Sequence, residues 1–195
     1  MARTSGTSYL RLVSSSTNAG SEASGKPLQH PCLEAFELEF DYLIRTLRRL
    51  GVHRNDVEDL AHEVFIVLYQ TWDKYDPMRP LRAYLFGIAF RVTANHRRKQ
   101  RREIPHSTLD LGGDLGPRPD QLLEASQTRA LVLQALERIP LQRRAVLIMH
   151  DIDKIPMTEI ASNLSIYRFT GYSRLRKARK EFAMAVTFLL GASKP

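Results

Sequence analysis

At 195 residues and 43% hydrophobic content, the chain can build one ordinary domain or two small ones. Its 29 Lys and Arg against 21 acidic residues give a charge of +8, which points to a polyanionic partner, either nucleic acid or an anionic membrane surface. One cysteine, Cys32, excludes an intrachain disulfide and a cysteine-built zinc cage. No apolar run approaches the roughly 20 residues of a membrane span, and the start of the chain has no apolar core of signal-peptide length, so a cytoplasmic protein without membrane insertion is expected.

Residues 1–30 are rich in Ser, Gly and Thr and read as a disordered tail. From there to residue 104 the pattern is helical. FELEFDYLIRTLRRL runs to Gly51, a C-terminal cap, and NDVEDLAHEVFIVLYQTW opens with Asn55 and Glu58 at capping-box spacing. In that second helix Val57, Leu60, Ala61, Val64, Leu68 and Trp72 make an apolar stripe, leaving Asp56, Asp59, Glu63 and Gln70 on the other side. After Pro80 a third helical pattern, LRAYLFGIAFRVTANHRRKQRR, interleaves aromatics with cations, as single-stranded nucleic acid requires for stacking and phosphate neutralisation. Phe86 and Phe90 are expected in the core.

Residues 105–127 are the expected flexible linker, since the stretch up to about 123 carries three Pro and three Gly without sustained periodicity. Extended, such a linker reaches at most about 75 Å, and as a relaxed coil about 26 Å. Asp110, Asp114, Asp120 and Glu124 against Arg118 make it net acidic, which suits a basic channel.

The domain expected over 128–188 follows: ALVLQALERI closed by Pro140, QRRAVLIMHDI, PMTEIASNL and a basic end helix. A short helix over Met157 to Leu164, a break near Ser165 and Ile166, and a longer basic helix match a helix-turn-helix. Gly171, Leu175, Ala178 and Phe182 fall on one face of that last helix. Tyr172, Ser173, Arg176 and Lys177 are placed for base edges or adjacent phosphates, and Arg174, Arg179 and Lys180 for backbone contacts. The fold expected is all-α, two small helical domains joined by the linker, since no strand pair with a hairpin turn appears.

ALERIPLQRRAVLIMHDIDKIPMTEIASNLSIYRFTGYSRLRKARK resembles region 4 of bacterial sigma factors of the extracytoplasmic-function (ECF) group, with Pro140, Arg144, Glu159, Ile160, Ala161, Leu164, Thr170, Ser173, Arg174, Leu175, Ala178 and Arg179 in step. DVEDLAHEVFIVLYQTW and YLFGIAFRVTANHRRKQRR resemble region 2 of the same family. The resemblance implies a protein that binds core RNA polymerase and directs promoter-specific initiation. Region 4 then reads the −35 duplex through Thr170, Tyr172, Ser173, Arg174, Arg176, Lys177 and Arg179. Region 2 takes the melted −10 strand through Tyr75, Tyr84, Arg91, Asn95 and Arg98. Asp56, Asp59, His62, Glu63 and Gln70 then face the polymerase clamp. An anti-sigma factor is an implied partner, and no cofactor, metal or catalytic residue is.

Several positions depart from the family pattern: Tyr84 stands for Trp, Arg91 for Asn, His62 for Gln, Lys154 and Ser165 for Gly, Pro156 for a Ser cap, and Gly171 for Val. A glycine at 171 is expected to cost about 1 kcal/mol of helix stability and to remove a core side chain. Three rival readings are weighed: an enzyme, a stand-alone DNA-binding regulator and a purely structural helical adaptor. HEVFI begins like the zinc-protease motif, but position 66 is Ile, so the second imidazole is missing. A stand-alone helix-turn-helix regulator would use the end helix equally well, and it leaves the acidic helix unexplained.

Overall fold

Helix α1 (Pro31–Arg49) begins on a proline, whose missing N–H is of no consequence in a first turn. It ends as the sequence predicts. Gly51 takes φ +79°, the Val52 N–H reaches back to the Leu47 carbonyl at 3.0 Å, and the Gly51 N–H to that of Arg48 at 2.9 Å. The computed structural model describes residues 30–103 and 122–192, so the tail and most of the linker, with Asp110, Asp114 and Asp120, lie outside the described residues.

Helix α2 (Val57–Gln70) does not start with the expected capping box. A 3-10 turn over Arg54–Asp56 precedes it, the His53 imidazole accepts the Asn55 N–H at 3.4 Å, and Asp56 at the N-cap makes no side-chain cap bond. The Asp56 carboxylate turns instead to His96 Nε2 at 3.3 Å on helix α3 (Leu81–Glu103). The predicted stripe of α2 is buried from Val57 to Leu68, Trp72 packs against it, and Phe65 joins it. Phe86 is buried and Phe90 packs against the core, as expected. Helices α1 to α3 form the N-terminal bundle.

The C-terminal bundle opens with α4 (Leu122–Glu137), so the linker expected to run to 127 already ends in helix. Helix α5 (Leu141–Leu147) starts after Pro140 and continues as a π-helical turn over Ile148–Ile152. Helices α6 (Met157–Asn163) and α7 (Arg168–Ala192) complete it. No strand occurs among the described residues, and the fold is all-α with two helical bundles.

The bundles are not held apart. A single apolar cluster runs from Cys32, Leu43 and Leu47 through Leu136 and Ile139 to Ile148, Ile160 and Leu175. At its centre Arg144 is 1% exposed and has no carboxylate partner. Its guanidinium donates instead to three main-chain carbonyls: Leu50 at 2.7 Å, Glu137 at 2.7 Å and Ile139 at 3.0 Å. These lie at the C-terminal ends of α1 and α4, where orphan carbonyls concentrate partial negative charge, so a buried cation is solvated by two helix ends. Burial pushes its pKa down to about 10, leaving it charged at neutral pH. Arg97 of α3 donates to the Leu50 and Gly51 carbonyls at 2.9 Å each. A Cβ on Gly51 would strike both guanidinium groups, so this position needs glycine for space as well as for its φ.

Further polar contacts join the bundles. Tyr42 Oη of α1 donates to Asp153 Oδ2 at 2.7 Å, and Arg49 lies 3.4 Å from the same carboxylate. Arg79 donates twice to Glu159 of α6, at 2.7 and 3.0 Å, and once to Ser162 at 3.1 Å. Helix α6 reaches α3 at Gly87, where an added Cβ would stand 3.4 Å from both the carbonyl and the side-chain oxygen of Asn163.

Candidate nucleic-acid and protein interfaces

The turn between α6 and α7 keeps the geometry of a helix-turn-helix without its usual glycine. Ser165 takes φ 52°, with the Ile166 N–H bonded to the Ala161 carbonyl at 2.9 Å and the Ser165 N–H to that of Ser162 at 3.2 Å. Lys154, ahead of α6, holds φ 58° in the same way. A side chain in this left-handed region costs roughly 1–2 kcal/mol, so both turns are held by the packing around them rather than by local preference.

Helix α7 docks through the predicted stripe: Gly171, Leu175 and Ala178 are buried and Phe182 packs against the core. The expectation that Gly171 leaves a core position empty is corrected here. A Cβ built on Gly171 falls on the Met157 sulfur, with Met157 Cγ at 3.5 Å and Cε at 3.7 Å. The α6 side chain occupies the volume a valine would fill, and glycine lets it in.

On the opposite face Tyr172, Arg176, Lys177, Arg179 and Lys180 are exposed, while Thr170, Ser173 and Arg174 are half-buried. Arg179 is already engaged, donating to both oxygens of Asp151 at 2.8 and 2.7 Å. That contact holds the Asp151 carboxyl down to about 2. Sequence reasoning missed Tyr167 and Phe169 at the N-terminal end of α7, each 85% exposed. They lie within the stretch that carried the resemblance but at none of its matched positions, and only their exposure marks them.

On the N-terminal bundle, Tyr84, Arg91, Asn95 and Arg98 recur at helical spacing along one face of α3. Arg91, Asn95 and Arg98 are exposed, and Arg98 donates to the Asn95 side chain at 3.1 Å. Tyr84 is half-buried and its hydroxyl donates to Thr71 Oγ1 at 2.8 Å. Its ring lies 5.2 Å from that of Tyr75, which lies 5.3 Å from Trp72, so three aromatics form a row beside the α3 face. Tyr75 Oη donates to the Arg79 carbonyl at 2.8 Å and ties the loop between α2 and α3 across its base. Gly87 sits on the same face, midway between Tyr84 and Arg91, and that is where α6 packs; Arg91 lies 3.4 Å from the Asn163 carbonyl.

The outward face of α2 carries Asp59, His62, Glu63 and Gln70, all exposed, at the spacing of one helical stripe. Asp56 is half-buried against His96 and stands apart from them. The same face adds two apolar side chains the sequence reading left out, Ile66 at 41% and Tyr69 at 54% exposure. Both interrupt a polar pattern, and that interruption was the available signal. No group of acidic, His or Cys side chains able to hold a metal ion exists among the described residues, and no described helix is long and apolar enough to cross a membrane.

Comparison with known proteins bears on this arrangement. The Sigma-70 region 2 family matches residues 36–103, the span of the N-terminal bundle. The ECF RNA polymerase sigma factor SigE of Mycolicibacterium smegmatis is 27% identical over 148 residues, 72% of this chain but only 56% of the relative. The ECF RNA polymerase sigma-E factor of Escherichia coli K12 is 26% identical over 160 residues, covering 75% of this chain and 84% of the relative. Among solved structures, the sigma factor RpoE of Bartonella quintana, crystallised with the anti-sigma factor NepR, superposes with a TM-score of 0.66 at 19% identity, covering 80% of this chain and 96% of that one. The first of the two helical bundles thus matches a sigma-70 region 2 domain. Over most of its length the chain is similar to sigma factors of the ECF group.

Proposed function

We propose that this protein binds core RNA polymerase and selects promoters, with α7 on the −35 duplex and α3 on the unwound −10 strand. It changes no bond itself and works in the cytoplasm. One observation carries the reading. The bundle that matches region 2 turns two chemically opposite faces outward, the acidic and apolar α2 stripe and the cationic α3 stripe with its aromatic row. An acidic, apolar face repels DNA and fits a protein, whereas the α3 face fits a single strand. A stand-alone regulator has use for α7 alone.

The packing of α6 on α3 gives this reading a conformational consequence. Helix α6 rests at Gly87, midway along the face assigned to the −10 strand, so the form described here is a closed one that opens when polymerase is engaged. An anti-sigma factor that stabilises the closed form is the inhibitor this geometry fits.

Reconstitution tests the proposal. The purified chain, added to core polymerase and a library of genomic promoter fragments, should generate a discrete set of start sites absent with core alone. If the start sites stay those of core alone, the reading is wrong.

A further inference from the structure

The N-terminal end of α7 carries more exposed aromatic surface than phosphate contact explains. Phe169 and Tyr167 are each 85% exposed and Tyr172 is 58% exposed, within six residues of chain. At helical spacing Phe169, Ser173, Arg176 and Lys180 line one face, and it lies opposite the buried Gly171, Leu175 and Ala178. Phe169 therefore stands at the front of the face that the preceding reading aims at duplex DNA, in the leading turn that reaches base edges in a helix-turn-helix. Its exposed neighbours Arg168, Arg176, Lys177 and Lys180 are all cationic, which matches phosphates on either side of a groove and disfavours a purely apolar protein surface.

A phenyl ring has no hydrogen-bond donor or acceptor for a base edge. The one apolar group that the major groove offers is the thymine 5-methyl, and an apolar side chain against it distinguishes T from C and from uracil. We propose that Phe169, flanked by Tyr172 and Tyr167, reads thymine methyl groups in the −35 duplex, while Arg176 and Lys177 supply the charge that holds the helix there. This rests on the assignment of α7 to the −35 element and adds what kind of sequence it prefers: an element with thymine on at least one strand under the first turn of α7.

Removing the methyl alone provides the test. The full chain is assembled with core polymerase, its preferred upstream duplex is selected from random sequence, and each thymine is replaced in turn by deoxyuridine. At one or two positions wild type should lose about fourfold in affinity, the worth of one methylene-sized group kept from water. Phe169→Ala should bind the thymine duplex more weakly by at least that factor and be indifferent to deoxyuridine at those positions, with its salt dependence unchanged. Arg176→Ala should keep the methyl effect and reduce the salt slope by about one, since it gives up a phosphate contact. Phe169 is exposed, so the alanine variant folds, and Phe169→Leu should recover part of the methyl effect.

A selected element without thymine overturns the inference. So does wild type that is blind to every deoxyuridine, or a methyl effect that survives Phe169→Ala. If no upstream sequence preference emerges at all, the −35 assignment falls with it; if a preference exists but ignores methyl groups, only this inference falls.

Discussion

Replacing Gly171 with valine, the residue the family pattern favours, separates two accounts of the recognition helix. If glycine left a hole, valine would fill it and also gain helix propensity, a few tenths of a kcal/mol over glycine. The structure says the reverse. The first added carbon meets the sulfur of Met157, which is 4% exposed and cannot swing into solvent without giving up its burial. Overpacking of this kind costs about 1–3 kcal/mol, so Gly171→Val should be net destabilised by about 1–2 kcal/mol, lowering Tm by about 2–8 °C for a chain of this size. Met157→Ala alone should lose about 2–5 kcal/mol by leaving a cavity. The double variant should be more stable than Met157→Ala, because the valine methyls enter the vacated volume, and the coupling should reach about 1 kcal/mol or more. Urea unfolding followed by far-UV circular dichroism gives all four corners of the cycle. A Gly171→Val protein more stable than wild type, or a double variant that merely sums the two losses, refutes the packing argument.

Other expectations follow from single contacts. Ser165→Gly and Lys154→Gly each relieve a left-handed side chain and should stabilise by about 0.5–1 kcal/mol in the same assay, without loss of promoter selection. Tyr42→Phe deletes the 2.7 Å bond to the nearly buried Asp153 carboxylate and should weaken bundle docking by about 1–3 kcal/mol. Faster amide exchange in Met157–Asn163, with global stability less affected, is its signature. Asp151 is held near 2 by Arg179, below its ordinary 3.8. A lowered carboxyl pKa contributes stability that is complete above about pH 4 and lost as pH falls toward 2, so Asp151→Asn should flatten that part of the acid unfolding curve. On α2, Ile66→Ala and Glu63→Ala should each weaken capture of core polymerase several-fold while leaving Tm within about 1 °C, since both side chains are exposed.

Much of the bundle architecture was legible because it depends on spacing alone. The α2 and α7 stripes, the Gly51 cap and the break before α7 are properties of consecutive residues, and the 3.6 period reveals them without knowledge of neighbours. What escaped depends on residues far apart in sequence. Asp56 looks like one more carboxylate on the outer face of α2 until His96 is brought beside it. Arg97 looks like one more solvated cation in RRKQRR, yet it turns inward to two carbonyls of the α1 terminus. Gly171 looks like a deletion until Met157 is seen in its place. Each case is a local preference overridden by a partner that only the fold supplies. For the site residues, spacing gave the faces, and exposure was needed to add Phe169, Tyr167 and Ile66.

The Leu50 carbonyl accepts from two guanidinium groups, Arg97 of its own bundle at 2.9 Å and Arg144 of the other at 2.7 Å. Such redundancy removes the hydrogen-bonding penalty of separation at this carbonyl: Leu50 keeps Arg97, and Arg144 keeps Glu137 and Ile139. On the proposed opening, the joint acts as a reversible latch whose resistance comes from apolar contact and from the Tyr42–Asp153 bond, and a competing surface of similar character can replace the apolar part.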